Sequence, residues 1–211
     1  MDPTDVLAAL NILGLFVFAV SGALTALRND MDLFGVAMIA FATGVGGGTI
    51  RDILLGIFPV WWIAEPSAVA ICLAGAATAA LAQPILTSRL KALIWADAVG
   101  LSVFAILGAQ AALAAEAPLI IAIFMGGVTA TFGGVVRDVL LNEAPLILKQ
   151  DIYATAALTG AGVYVGLTAL GIGPGLGAPL AVVVTFLIRA GAILFNIPSP
   201  KFTRPRGNEL D

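Results

Sequence analysis

Two arginine–aspartate pairs stand inside otherwise apolar stretches of this chain: Arg51-Asp52 and Arg137-Asp138. Glycines precede both at the same spacing, Gly47-Gly48 before the first pair and Gly133-Gly134 before the second. An arginine at the centre of a membrane span costs roughly 2.5–3.5 kcal/mol on insertion scales, so it faces the protein interior or water and is paired. Two roles suit such residues. They form a buried ion-pair lock that joins two parts of the fold, or they line and gate a path for charge. Adjacent residues on a helix do not face one another. The pattern therefore predicts cross-pairing, Arg51 with Asp138 and Arg137 with Asp52.

The glycines themselves admit two uses. Gly46, Gly47 and Gly48 in one segment, and Gly133 and Gly134 in the other, each weaken a helix by roughly 1 kcal/mol relative to alanine. A helix broken there would free backbone groups, tolerated only against protein or a wet cavity, and its carbonyl end would attract a cation. Alternatively the glycines let helices pack closely. Gly14, Gly22, Gly100 and Gly108 read as packing positions. Asp97 is expected to reach interfacial water from the end of its span, and Arg189 to snorkel.

Other chemistry is scarce. Histidine is absent, which removes imidazole metal ligation and Ser-His-Asp catalysis. A single cysteine, Cys72, permits no intrachain disulfide. Gly46-Gly47-Gly48 is followed by no Walker lysine. No catalytic residue, metal site or cofactor is expected, and a net charge of -3 gives no reason to expect nucleic acid.

The elements that must hold these residues are transmembrane helices. Apolar residues make up 60% of the chain and charged ones 11%, against roughly 25% charged in soluble domains. A span needs roughly 20 apolar residues, and seven stretches qualify: about 6–28, 33–57, 66–86, 92–115, 118–142, 152–172 and 176–196. The pairs fall in the second and fifth.

The two halves align without a gap at an offset of 86, with 18 identities in the 46 positions from residue 14 to 59. Shared apolar bias explains matched Ala and Leu, but not the matched Gly-Gly-x-x-Arg-Asp and its downstream proline, Pro59 and Pro145. Each copy holds three spans, so the second must enter the membrane upside down. The fold class is therefore all-α integral membrane: two inverted three-helix repeats, about 6–86 and 92–172, plus a seventh helix, about 176–196. Together they make one transmembrane domain over 1–197, followed by a basic tail over 198–211. Inverted repeats of this kind are the plan of many transport proteins.

The loop charges orient it. Seven of the ten Lys and Arg residues (Arg28, Arg89, Lys91, Lys149, Lys201, Arg204 and Arg206) fall on one side of a seven-span chain. The positive-inside rule places that side and the C-terminus in the cytoplasm, and the N-terminus outside the cell membrane.

The doubled Gly-Gly-x-x-Arg-Asp-x-Leu-Leu in a seven-span chain resembles the prokaryotic branch of the trimeric intracellular cation (TRIC) channels, over about residues 6–196. The resemblance implies a homotrimer in the lipid membrane with one pore per protomer. It implies passage of monovalent cations, potassium above all and sodium with it. It makes Gly46, Gly47, Gly48, Gly133 and Gly134 kink positions, and Arg51, Asp52, Arg137 and Asp138 charged pairs near the pore. A secondary transporter with alternating access is the alternative, since inverted repeats support both.

Overall fold

The computed structural model describes residues 3–83, 88–149 and 152–195. The basic tail and its three cationic residues lie outside these. The secondary structure of the described residues is all helical: α1 (Pro3–Arg28), α2 (Leu33–Leu55), α3 (Trp61–Ala64), α4 (Ser67–Ala82), α5 (Arg89–Ala114), α6 (Leu119–Leu140), α7 (Leu146–Lys149), α8 (Ala154–Ala169) and α9 (Pro174–Phe195). Helix is the solution that satisfies every backbone amide within one segment when no water is present. Among the described residues, α1, α2, α5, α6 and α9 are long and apolar enough to cross a membrane. The helices at the expected third and sixth spans, α4 and α8, are apolar but have 16 residues each. At 1.5 Å per residue they rise about 24 Å, less than a bilayer core of about 30 Å. Each follows a four-residue helix, α3 or α7.

The offset of 86 governs the main elements. α1 and α5 both have 26 residues and start 86 apart; α2 and α6, of 23 and 22 residues, also start 86 apart. Their ends match as well. Asp30 and Glu116, and Gly56 and Asn142, all adopt left-handed backbone conformation just past a helix. In each case the next amide returns to the carbonyl five residues back: Met31 to Ala26, Ala117 to Ala112, Ile57 to Asp52 and Glu143 to Asp138. That is the Schellman closure, which satisfies carbonyls a helix end would otherwise leave bare.

Packing depends on missing side chains. α1 lies on α5 and α2 on α6, with α4 against α1 and α2, α8 against α5 and α6, and α9 against α1, α5 and α8. A Cβ at Gly22 would strike Thr43 Oγ1 and the Ile39 carbonyl; at Gly108 it would strike the counterparts Thr129 Oγ1 and the Met125 carbonyl. Gly14 lies against Val103 and Phe104, and Gly100 against Phe18. These four glycines hold the packing role expected of them. The outward surface is apolar, with Leu33, Phe34, Leu81, Leu187 and Phe195 all well exposed, as a lipid-facing surface requires.

Candidate functional site

α2 and α6 cross at their glycines. A Cβ on Gly47 would overlap the Thr129 carbonyl oxygen, and one on Gly133 would overlap the Thr43 carbonyl oxygen. Each contact maps onto the other under the offset of 86. Since Gly47 meets Thr129 while Thr43 meets Gly133, the helices run antiparallel. Gly48 lies under the Trp61 indole, Gly46 meets Val136, and Gly134 adjoins Tyr153, Arg137 and Asp97. The expectation of broken helices is corrected: α2 and α6 run uninterrupted through Gly46, Gly47, Gly48, Gly133 and Gly134. A glycine costs a helix roughly 1 kcal/mol, whereas an unpaired backbone group away from water costs several. The continuous helix wins, and the glycines admit the neighbouring backbone. Phe18 and Phe104, counterparts across the offset, pack with ring centroids 5.1 Å apart beside this crossing.

The charged residues pair differently from expectation. Arg51 donates from Nη2 to Asp52 Oδ1 at 2.7 Å and from Nε at 2.9 Å. Arg137 donates from Nε to Asp138 Oδ1 at 2.7 Å. Cross-pairing does not occur, for two reasons. First, each arginine lies four residues beyond its crossing glycine on antiparallel helices. Because Gly47 meets Thr129 and Gly133 meets Thr43, the crossing centres near residues 45 and 131, and each arginine lies about six residues beyond it in opposite directions, which at 1.5 Å per residue sets them about 18 Å apart along the helix axes. Second, each aspartate is held beside its own arginine by a backbone donor from the returning chain: Trp61 N to Asp52 Oδ2 and Leu146 N to Asp138 Oδ2, both 2.8 Å. The arginine side chain is long enough to fold round to a carboxylate so fixed.

Arg137 gathers further partners. Its Nη1 donates to Asp97 Oδ1 at 2.8 Å and to Ser21 Oγ at 2.6 Å. It has no exposed side-chain surface. Asp97 is likewise buried, so the expectation that it reaches interfacial water is corrected. Arg189 is buried too and does not snorkel: it sits 5.2 Å above the Tyr153 ring and donates to the Ile152 carbonyl. Two cations and two carboxylates thus close a neutral cluster. Sequence reasoning missed Asp97, Ser21, Tyr153 and Arg189 as members. The available signal was Asp97 itself, the sole carboxylate on α5, since an ionisable group within a span is by default paired.

Arg51 differs. Its side chain keeps 10% of its surface and lines a cavity of about 510 Å³ between the first half of α1, the start of α4 and the last turns of α5. Its polar lining includes Thr4, Asn11, Glu65, Ser67 and Gln110. Between cavity and buried cluster stands the α2–α6 crossing. The α2–α6 crossing thus separates a charged pair that borders the cavity from one that is fully enclosed.

A family model described as Glycine transporter matches residues 8–84 and 94–169. The matched segments begin 86 residues apart. A UPF0126 membrane protein of Vibrio cholerae serotype O1 is 40% identical over 204 residues, covering 94% of this chain and 84% of that protein. The solved structure of the TRIC trimeric intracellular cation channel orthologue from Rhodobacter sphaeroides superposes with a TM-score of 0.87 at 46% identity, covering 91% of this chain and 99% of that one. A second TRIC cation channel structure, solved to explain conductance, superposes with a TM-score of 0.85 at 32% identity, covering 95% and 98%.

Proposed function

This chain belongs to the membrane-protein family that unites the Glycine transporter model, the UPF0126 proteins and the TRIC channels, and from that premise we propose that it is a potassium-permeable monovalent cation channel, a homotrimer with one pore in each protomer. The observation that carries this is the shared fold at 46% identity with a TRIC channel over nearly all of both chains. Within a protomer, the path runs from the cavity at Arg51, through the α2–α6 crossing, to the cluster at Arg137. Gly47, Gly133, Phe18 and Phe104 fill the crossing, so conduction requires α2 and α6 to part there, with Gly46, Gly48 and Gly134 flanking the movement. Asp52 and Asp138 neutralise the arginines that would otherwise repel a cation along this path. Residues 1–197 form a single transmembrane unit of seven spans in two inverted repeats plus a seventh helix, with 198–211 as a cytoplasmic tail. The reciprocal contacts of the α2–α6 crossing and the doubled family match support that plan.

A second reading has its own observation: the matching family model is described as Glycine transporter. In that case the same cavity and crossing form one side of an alternating-access carrier. Purified protein separates the two. In planar bilayers with potassium on both sides, unitary current steps are expected. Absence of steps, together with saturable uptake of radiolabelled glycine into proteoliposomes, would replace the channel by the carrier.

Orientation is a further prediction, resting on the one-sided Lys and Arg count. Single cysteines at Asp2 and Asn208 are expected to label from opposite sides of sealed cells, Asp2 from outside. The native Cys72 is buried and gives no competing signal. Labelling of both from one side would refute an odd number of spans.

A further inference from the structure

Four polar atoms of the cluster around Arg137 are buried and have no hydrogen-bond partner among the described residues: Asp97 Oδ2, Arg137 Nη2, Tyr153 Oη and Arg189 Nε. The residues that carry them are no more than 3% exposed. Buried polar atoms in native proteins are nearly always hydrogen-bonded, to protein or to a bound molecule. Several left bare together inside a membrane would be costly.

Three of these residues meet at Gly134. A Cβ built there would lie 3.2 Å from Tyr153 Oη, 3.5 Å from Arg137 Nη2 and 3.5 Å from Asp97 Oδ1. This glycine is unlike those of the crossing. A Cβ on Gly47 or Gly133 would overlap a backbone carbonyl, and one on Gly48, the counterpart of Gly134, would overlap the Trp61 indole. At Gly134 the neighbours are side-chain polar atoms, which would need to give way by only a few tenths of an ångström. Close packing of helices therefore does not explain the glycine, and alanine would hold the helix better. A side chain at this position would instead take up the space between the polar groups.

Those groups define what fits between them. Arg137 Nη2 only donates, the Asp97 carboxylate only accepts, and Tyr153 Oη does either. A direct bond from Tyr153 to Asp97 would still leave Arg137 Nη2 unpaired. One small molecule that both donates and accepts serves all three. Charge decides against an ion: Arg137 and Arg189 already balance Asp97 and Asp138, so an ion would add an uncompensated charge to an enclosed site. Clearance decides against anything larger than one oxygen-sized body, which approaches its partners to about 2.7–3.0 Å where a methyl group cannot.

We infer that the cluster binds a single water molecule at Gly134, which accepts from Arg137 Nη2, donates to Asp97 Oδ2 and bonds with Tyr153 Oη. Three hydrogen bonds are the usual complement of a buried water. The water joins α5, α6 and the start of α8 one residue beyond the glycine of the α2–α6 crossing. The first repeat is built differently, since indole covers Gly48 and the counterpart of Asp97 is Asn11. Gly134 is a positioning residue whose part is to leave room. The inference holds for a channel or a carrier, and its failure would leave the current and uptake measurements unaffected.

Crystals of the full-length protein, at a resolution that shows ordered water, are expected to show one density peak at Gly134 within hydrogen-bond distance of all three side chains. Crystals soaked in bromide should show no anomalous signal there. Thermal unfolding in detergent is then compared for two variants. Gly134→Ala expels the water and strands its partners, so it should lower the melting temperature by about 5 °C or more. Gly134→Ser sets a hydroxyl where the water was, able to donate to Asp97 and accept from Arg137, so it should melt above Gly134→Ala. Helix preference and crowding both rank serine below alanine, so this order reports the hydrogen bonds. Serine melting below alanine, alanine melting at or above the wild type, an empty position in the wild-type crystal, or a bromide peak would each overturn the inference. The wild-type crystal carries the test alone where neither variant folds.

Discussion

Arg137→Ala is expected to destabilise the protein by about 3–5 kcal/mol, the usual cost of removing one member of a buried charge pair. The side chain it deletes has no exposed surface and satisfies two carboxylates and a hydroxyl. Its loss leaves Asp97 and Asp138 as like charges in an enclosed site, with Arg189 alone to offset them. Arg51→Ala deletes the counterpart, but one carboxylate depends on it and the cavity admits water. That variant should cost about 1–2 kcal/mol, nearer to a single charged hydrogen bond. Thermal unfolding in detergent measures both. A double-mutant cycle then locates the coupling. Asp97→Ala should partly rescue Arg137→Ala, and Asp138→Ala should show no coupling to Arg51→Ala. Equal destabilisation by the two arginine variants would mean that the two sites do not differ in burial as described.

Gly47→Leu is expected to prevent stable packing of α2 on α6, at a cost of about 3 kcal/mol or more. Overpacking costs typically about 1–3 kcal/mol where side chains can give way. Here the first added atom overlaps a backbone carbonyl, that of Thr129, so two helices must separate instead. Gly133→Leu should behave alike against the Thr43 carbonyl. Because both contacts lie at one crossing, the double variant should not cost the sum of the two. Gly191→Ala is the control: nothing lies within 4 Å of the added methyl group, and alanine favours helix by about 1 kcal/mol. It should be neutral or stabilising. A leucine at Gly47 tolerated as well as alanine at Gly191 would mean that α2 and α6 do not approach here. Helix preference alone would have predicted stabilisation at Gly47, so the sign of the effect tests tertiary contact.

Much of this protein is legible in its residues. Composition fixes the membrane class, because a chain 60% apolar and 11% charged cannot cover itself with polar surface in water. The offset of 86 places α1 with α5 and α2 with α6 before any coordinate is known. Their helix ends close in the same left-handed way even though the closing residues differ, Asp30 against Glu116 and Gly56 against Asn142. Arg51, Asp52, Arg137 and Asp138 stand out as costly residues for the same energetic reason that keeps them buried and paired in the structure.

Partner choice is another matter. Cross-pairing looked natural from the repeat, yet an antiparallel crossing carries the two arginines away from one another. Which carboxylate an arginine meets depends on where the chain returns, and the amides of Trp61 and Leu146 decide that by fixing Asp52 and Asp138. Asp97 and Arg189, which sequence spacing assigns to interfacial water, are drawn inward because helices distant in sequence converge on Arg137. The use of the glycines was undecided in the sequence because glycine weakens a helix and permits close approach at once. Only the position of the Thr129 and Thr43 carbonyls shows that close approach prevails. Sequence by itself determined the class of the fold, its internal repeat and the residues that bear charge in the membrane, since each follows from local composition and spacing. Tertiary structure alone decided that one arginine is sealed by a second carboxylate while its twin faces a cavity, because that depends on Asn11 and Asp97 being carried to opposite ends of the bundle.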